Sequence, residues 1–545
     1  MTKIVSLSVL TLIVTLSCCS KNKLKSSTET EKPEVDQPDQ GVSVTAGITF
    51  GDMLGVNVFE WDFLEPKSMP DRNVKYIYEP KMNLIKTFSA VRHYLDWNWL
   101  ESTQGEYSFS PTVAGGWDYD MIYERCKQEG ILILSCIKTI PTWMMNSYPS
   151  SQRDLENVPA FSGKDLNDPR SYMEYAQLAF QFAARYGSNK NIDPDLVSVV
   201  AKPHWDPNVK KVGLGLVKYV ECNNEPDRWW KQEKVAQQSP EEYAANLSAF
   251  YDGHKGELGP HVGVKAADPT MKVVIGGLAG YQNQGPTPQF IDAMIEWCRK
   301  NRGYRSDGSV DLCFDVINYH LYSNNQQQVN NNLSQRQGIA PELSKASEVA
   351  DDFVKFAKEN ADNMEVWVTE LGYDINQRST QRAVPIGDKS VLETQADWNL
   401  RSALLYARHG VSRIFYYMLY DVNENSTTQY ASSGMVVEQG AKRRPTSDYL
   451  LQARKLIGDY YYQKTINDDP IVDVYSLDGK SVYVLTVPDM EGRSEEYELT
   501  VGDGKQATLH ELQVGADDSK ATKLTVSGGK VKLKVTETPI FVEVL

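Results

Sequence analysis

Two glutamates stand where a carboxylate could act on a substrate. The first lies in KYVECNNEPDRWW, Lys218 to Trp230, which begins apolar and turns polar at Asn224-Glu225-Pro226. The second lies in MEVWVTELGYD, residues 364–374, as Thr369-Glu370. Two carboxylates that converge on one site can divide the work, one attacking and the other giving and recovering a proton. The division requires different environments. The proton donor must keep its proton at neutral pH, which a neighbouring carboxylate and partial burial favour. The nucleophile must stay ionised, so it needs a cation or hydroxyl donors, and Arg92 and Tyr322 are suitable. Asn224 carries an amide that can bond a substrate hydroxyl beside the reacting centre.

These residues must be positioned by regular elements. Eight apolar runs qualify as strands: 53–61, 88–97, 130–139, 212–225, 271–280, 312–323, 364–374 and 411–421. Amphipathic helical stretches separate them, such as DPRSYMEYAQLAFQFAARYG with an Asp-Pro start and a Gly stop. The runs are Val/Ile/Leu-rich, as strands buried on both faces require. Eight strand-helix units over residues 47–460 predict a (β/α)8 TIM barrel in the α/β class. An open doubly wound sheet is disfavoured by the count of eight and by the lack of a glycine-rich phosphate loop after the first strand. Residues 461–545 read instead as short alternating strands with Asp-Gly and Gly-Gly turns, a small C-terminal β-sandwich.

Barrel active sites lie at the C-terminal strand ends. That rule gathers Arg92, Asn224, Glu225, His320, Tyr322, Glu370 and Tyr417 at one mouth. Glutamates on strands four and seven can approach to about 5 Å, a separation that suits retaining hydrolysis of a glycosidic bond. Aromatic rings at strand ends can stack on sugar C–H faces. Trp143 in IPTWMM is the foremost platform candidate, and Trp229 and Trp230 could wall an outer subsite.

Asn224-Glu225-Pro226 after strand four and Thr369-Glu370 on strand seven resemble the retaining glycoside hydrolases of clan A. The likeness spans the barrel and extends in outline to VTETPIFVEVL at the C-terminus. It implies that Glu225 is the acid/base and Glu370 the nucleophile. It also matches Arg92 to the clan's strand-two arginine and His320-Leu321-Tyr322 to its strand-six His-x-Tyr. One departure is the strand-eight tryptophan, since IFYYMLYD carries tyrosines; Tyr417 or Tyr420 takes that place, or the platform lies elsewhere. Families 39, 5 and 30 are echoed without a decision among them.

The N-terminus is a targeting segment. An apolar stretch from Ile4 to Leu16 precedes Ser17-Cys18-Cys19, too short to span a membrane but long enough for a signal peptide. Leu16-Ser17-Cys18 resembles a bacterial lipoprotein box, with Cys18 favoured over Cys19 as the lipidated residue. Residues 1–18 then form the signal and 19–46 a polar tether. The expected location is the cell envelope, anchored by lipid, with the outer membrane favoured. Net charge of −15 without a basic block argues against a nucleic-acid partner. Cys126, Cys136, Cys222, Cys298 and Cys313 show no metal spacing and read as buried free thiols. No HExxH, calcium-loop or nucleotide motif occurs, so neither cofactor nor metal is expected. The expected partners are a carbohydrate substrate and the membrane, with the chain acting as a monomer. A non-catalytic surface glycan-binding barrel is the first alternative; an aldolase using Lys138, or a metal hydrolase, is the second.

Overall fold

The computed structural model describes residues 47–66, 75–109, 117–200, 209–231, 233–280, 285–329, 332–437 and 441–545. The expected signal peptide, tether and Cys18 lie outside the described residues. Eight parallel strands close a barrel: β1 Leu54–Val58, β2 Ala90–Asp96, β3 Leu132–Lys138, β4 Tyr219–Cys222, β5 Lys272–Ile275, β6 Val316–His320, β7 Glu365–Leu371 and β8 Arg413–Tyr416. Each pairs with its neighbours in sequence, and Leu54 of β1 opposite Ile414 of β8 completes the ring. The principal helix after each strand is α1 Glu79–Ile85, α2 Tyr119–Gln128, α3 Met173–Tyr186, α4 Pro240–Asp252, α5 Gln289–Asn301, α6 Ala346–Asn360, α7 Val391–Arg408 and α8 Pro445–Ile457. Local sequence starts two of them sharply. Ser239 and Glu242 cap α4 reciprocally, and Ser390 and Glu393 do the same for α7.

Side chains alternate along each strand, so every second residue enters the barrel. Leu134, Val274, Val316, Trp367 and Phe415 form an apolar plug. Gly55 is required at this level, because a Cβ there would lie 2.4 Å from Phe415 Cδ1. Two residues along these strands the inner face becomes polar, with Asn57, Arg92, Asn318 and Thr369 joined by Glu221, all completely buried. This polar layer carries the site.

The observed strands are shorter than the apolar runs. Val212–Val217 does not pair, because Gly213 and Gly215 take positive φ and the segment bonds instead to the end of α3. Gly213 N donates to Ala184 O and Leu214 N to Arg185 O. The sixth run likewise contracts to Val316–His320, leaving Cys313 ahead of it. Cys126, Cys136, Cys222, Cys298 and Cys313 are buried and free.

The C-terminal strands are β9 Tyr461–Asp468, β10 Ile471–Leu477, β11 Lys480–Thr486, β12 Ser494–Thr500, β13 Ala507–Glu511, β14 Lys520–Leu524, β15 Lys530–Thr536 and β16 Ile540–Val544. They form a six-stranded sheet, β9-β10-β11-β16-β13-β14, covered by the β12-β15 ribbon. In β15 Val531, Leu533 and Val535 are buried while the alternating lysines are exposed. The sandwich is tied to the barrel by charge as well as apolar packing. Arg408 of α7 donates to both oxygens of Asp473 on β10, at 3.1 and 2.7 Å, and Asp473 is 1% exposed. Removing one member of such a buried pair strands the other. Asp473→Ala is therefore expected to cost about 3 kcal/mol and to lower the melting temperature of the full chain in calorimetry; an unchanged melt would mean that the pair adds nothing to the joint.

Candidate active site

The polar layer is organised by one cation. Arg92 on β2 is wholly buried and forms a fork with Glu221 on β4, Nε to Oε2 at 2.7 Å and Nη2 to Oε1 at 2.8 Å. Burial alone would lower the pKa of Arg92, but the Glu221 charge outweighs it and holds the group well above its usual range. The remaining donors point toward the mouth. Nη1 reaches Asn57 Oδ1 and Glu370 Oε1, each at 3.0 Å, and Nη2 reaches Asn224 Oδ1 at 2.7 Å.

Glu370 lies at the end of β7, opposite His320 of β6 at a shift in register. Its carboxylate receives Arg92 and the Tyr94 hydroxyl on Oε1, and the Tyr322 hydroxyl on Oε2 at 2.9 Å. Burial pushes its pKa up, but the charges of His320 and Arg92 and these hydroxyl donors prevail and hold it below the usual carboxylate range. Burial and the Glu370 charge in turn keep the Tyr322 phenol far above its ordinary value, so it remains a donor.

Glu225 follows β4 in a left-handed turn, with φ of +66° at Asn223 and +43° at Glu225. Such backbone is costly for a non-glycine residue and persists only where the surroundings enforce it. Asp227 supplies one restraint by accepting from Ala279 N at 3.0 Å and Gly280 N at 2.8 Å on the segment after β5. Arg228 supplies another through Glu225 O at 2.9 Å. The Glu225 side chain is 21% exposed, against 8% for Glu370. It is therefore the carboxylate with better access to water.

His320 joins the two, and its tautomer follows from the layer beneath. Asn318 donates its amide to Glu221 Oε1 at 3.3 Å and Ile275 O at 3.1 Å, so its Oδ1 accepts. Thr369 Oγ1 donates to that oxygen at 2.9 Å and must then accept from His320 Nε2 at 3.0 Å. Nε2 thus carries a proton, and Nδ1 shares another with Glu225 Oε1 at 3.0 Å. Burial lowers the pKa of His320, but the Glu370 charge and the Glu225 bond outweigh it and raise it. The ring fits because residue 277 is glycine: a Cβ there would lie 2.0 Å from Nε2.

One atom each of Glu225, His320 and Glu370 lie within 4.8 Å of one another, close enough to share a cation. These groups are already engaged with each other, and the Arg92 guanidinium 3.0 Å from Glu370 opposes a metal ion at the same place. The arrangement suits proton transfer and carboxylate attack.

A cleft of about 840 Å³ opens above these groups, and Asn224, Glu225, His320, Tyr322, Glu370 and Tyr417 line it. Tyr417 packs edge-on to Tyr94, with ring centroids 6.2 Å apart. Tyr420, the other candidate from the eighth apolar run, is buried and does not line the cleft. Trp229 and Trp230 also line the cleft, on the segment after Glu225. Trp143 does not. Its Nε1 donates to Glu101 O at 2.9 Å and its ring packs edge-on against Trp97 and beside Phe161, so packing occupies the ring expected to face sugar. Lys138 lines the cleft but is paired with Asp96 at 2.8 Å.

Glu221, Phe59 and Tyr430 are absent from the residues singled out by sequence, and Tyr94, which the sequence places at the end of strand two, carries no assigned role there. Glu221 had a legible signal: a charged residue at an inward position of an apolar barrel strand must be paired. Tyr94 sits two residues after Arg92, on the same face. Phe59, stacked on Tyr94 with centroids 5.5 Å apart, and Tyr430, 4.1 Å from the Tyr322 ring, come from loops and carry no such signal.

The fold is a TIM barrel with an appended C-terminal β-sandwich. No protein-family model and no curated protein matches the sequence. Among solved structures, a family 39 glycoside hydrolase from the gut symbiont Bacteroides cellulosilyticus WH2 has a TM-score of 0.58 at 18% identity, covering 91% of this chain and 82% of that one. A GH30 endoxylanase from Clostridium papyrosolvens C71 gives 0.50 at 12%, covering 92% and 97%. AbfB, a family 51 α-L-arabinofuranosidase from Bifidobacterium longum, gives 0.50 at 13%, covering 93% and 98%. These neighbours are glycoside hydrolases of several clan A families, and the likeness is one of fold.

The His320–Glu225 bond has a titration signature. In Glu225→Gln the imidazole pKa is expected to fall, read by NMR of ring-labelled histidine. Because the folded value is raised, the histidine's stabilising contribution is complete below the unfolded value of about 6.5 and is lost as pH rises through the folded value. The wild type should therefore lose more thermal stability than the variant across that window. An unmoved His320 titration would refute the shared proton.

Proposed function

We propose that this chain is a retaining glycoside hydrolase that cleaves β-glycosidic bonds in a poly- or oligosaccharide. The observation that carries the reading is the approach of Glu225 and Glu370 to within 4.8 Å at the floor of the cleft. Retaining enzymes hold their carboxyl groups about 5 Å apart, whereas inverting ones leave room for a water, at about 6.5–9.5 Å.

Glu370 is the nucleophile. Arg92, Tyr94 and Tyr322 keep it ionised and aimed. It attacks the anomeric carbon as the bond to the leaving oxygen breaks, and Glu225 delivers its proton to that oxygen. Glu225, now a carboxylate, takes a proton from water; the water oxygen attacks the same carbon and Glu370 is released. His320 Nδ1 buffers the proton on Glu225 between the two steps, and the position of Glu225 nearer solvent admits the water. Asn224 is held through Oδ1 by Arg92, which leaves its Nδ2, 3.4 Å from Glu225 Oε2, to meet a sugar hydroxyl. Tyr417 supplies an aromatic surface on the β8 side.

The N-terminal sequence supports a lipid-anchored envelope protein, with Cys18 as the lipidated residue and the outer membrane as its location. Among the described residues no helix is long and apolar enough to cross a membrane. Cys18→Ser is expected to abolish incorporation of labelled fatty acid and to leave the chain in the soluble fraction; continued labelling would move the anchor elsewhere.

Glu370→Gln is expected to reduce turnover by at least roughly 10⁴-fold, since the covalent step is lost. Glu225→Ala is expected to lose about 10²–10⁴-fold on unactivated substrates and to regain rate on an activated aryl glycoside when azide is added, with a β-glycosyl azide as product. Near wild-type activity in both variants would overturn the roles. A wild-type chain that binds glycan and releases no reducing ends would instead be a glycan-binding barrel.

A further inference from the structure

Among the described residues that line the cleft is a half-buried guanidinium that nothing in the catalytic network uses. Arg336 lies on the segment between β6 and α6 and lines the cleft together with Tyr322 and Tyr430. Its side chain makes no hydrogen bond or ion pair among the described residues, and its Nε is buried without a partner. After β8, Gln429 also lines the cleft and carries a second buried donor, Nε2, that lacks a partner. Buried donors are nearly always matched by acceptors, so two orphans on residues that line one cavity call for an acceptor from outside the chain.

The carboxylates of the cleft do not fill this role. Glu370 is held by Arg92 and two tyrosines, Glu225 by His320 and Asn224, and Glu156 by Arg228 and Lys231. The other buried cation of the site, Arg92, is likewise saturated. Arg336 stands apart, and burial lowers its pKa with no carboxylate to restore it. It is also firmly mounted. Its carbonyl accepts from Arg382 Nη1 at 2.8 Å, and Gly338 N donates to Arg382 O at 3.0 Å. The position is close to the chemistry: the Tyr430 hydroxyl feels Arg336, Glu225 and Glu370, and the Tyr430 ring packs 4.1 Å from Tyr322, whose hydroxyl holds the nucleophile.

We infer that Arg336 and Gln429 form an anion subsite in the cleft, beside Tyr430, that takes the carboxylate or sulfate of an acidic sugar. A guanidinium presents paired N–H donors that match either group, and the amide adds a third. The inference deepens the hydrolase reading by assigning the substrate a charge, and it rests on that reading for the meaning of the cleft.

The test measures binding without turnover, so that it fails or succeeds separately from the hydrolase assignment. The full chain carrying Glu370→Gln is titrated by calorimetry with oligosaccharides of glucuronoxylan and polygalacturonate beside their carboxyl-reduced counterparts, and with carrageenan oligosaccharides beside their desulfated ones. At least one acidic member is expected to bind about 10- to 100-fold more tightly than its neutral counterpart. Adding Arg336→Gln should erase that preference, leaving the neutral member's affinity unchanged as the control for folding, and Arg336→Lys should keep part of it. Preference within the carboxylate or the sulfate pairs decides which group is taken. Equal or weaker binding of the acidic member in every pair, absence of binding throughout, or a preference that survives Arg336→Gln would overturn the subsite. A chain that hydrolyses only neutral glycans would fail here while still passing the azide test.

Discussion

The buried fork between Arg92 and Glu221 is the interaction on which the site depends. Charges inside a barrel are costly unless they are paired and their remaining hydrogen-bond capacity is met. Glu221 neutralises Arg92 from within the barrel and fixes the plane of its guanidinium. Its outer nitrogens are then delivered to Asn57, Asn224 and Glu370, so strands β1, β2, β4 and β7 are joined at one level. Asn318 reads the same Glu221 carboxylate and passes its orientation through Thr369 to His320. The order of the upper layer is thus inherited from the charge pair below it.

Two carboxylates of the same type acquire different characters from that layer. Glu370 is enclosed by donors that favour its charge, while Glu225 faces one imidazole and the solvent side of the cleft. The strained turn that presents Glu225 is held by Asp227 and Arg228. Above the carboxylates the walls come from loops. Phe59, Tyr417, Tyr430 and the tryptophans at 229 and 230 supply the aromatic surface that Trp143, turned into packing against Trp97, does not.

Much of the fold was legible in the chain. Strand order followed from counting apolar runs, since consecutive βα units in a barrel must be neighbours, and the β-sandwich followed from the change to alternating strands near residue 461. Boundaries were less legible. VGLGLVK is apolar enough for a strand, yet two left-handed glycines turn it along α3 instead. Placing Glu225 and Glu370 at one mouth required only that both end their strands and that active sites of this architecture lie at that end.

The sequence by itself therefore determined the barrel, its sandwich and the strand ends that bear two glutamates, because periodicity and strand count are local properties of the chain. Tertiary structure alone decided which charges neutralise one another, which tautomer His320 adopts and which rings face the cleft. Those depend on distances between residues far apart in sequence, as with Arg92 and Glu370, or on where a loop turns its side chains, as with Trp143, Arg336 and Tyr430. No local pattern encodes them, because each is the outcome of packing many segments around the same few ångströms.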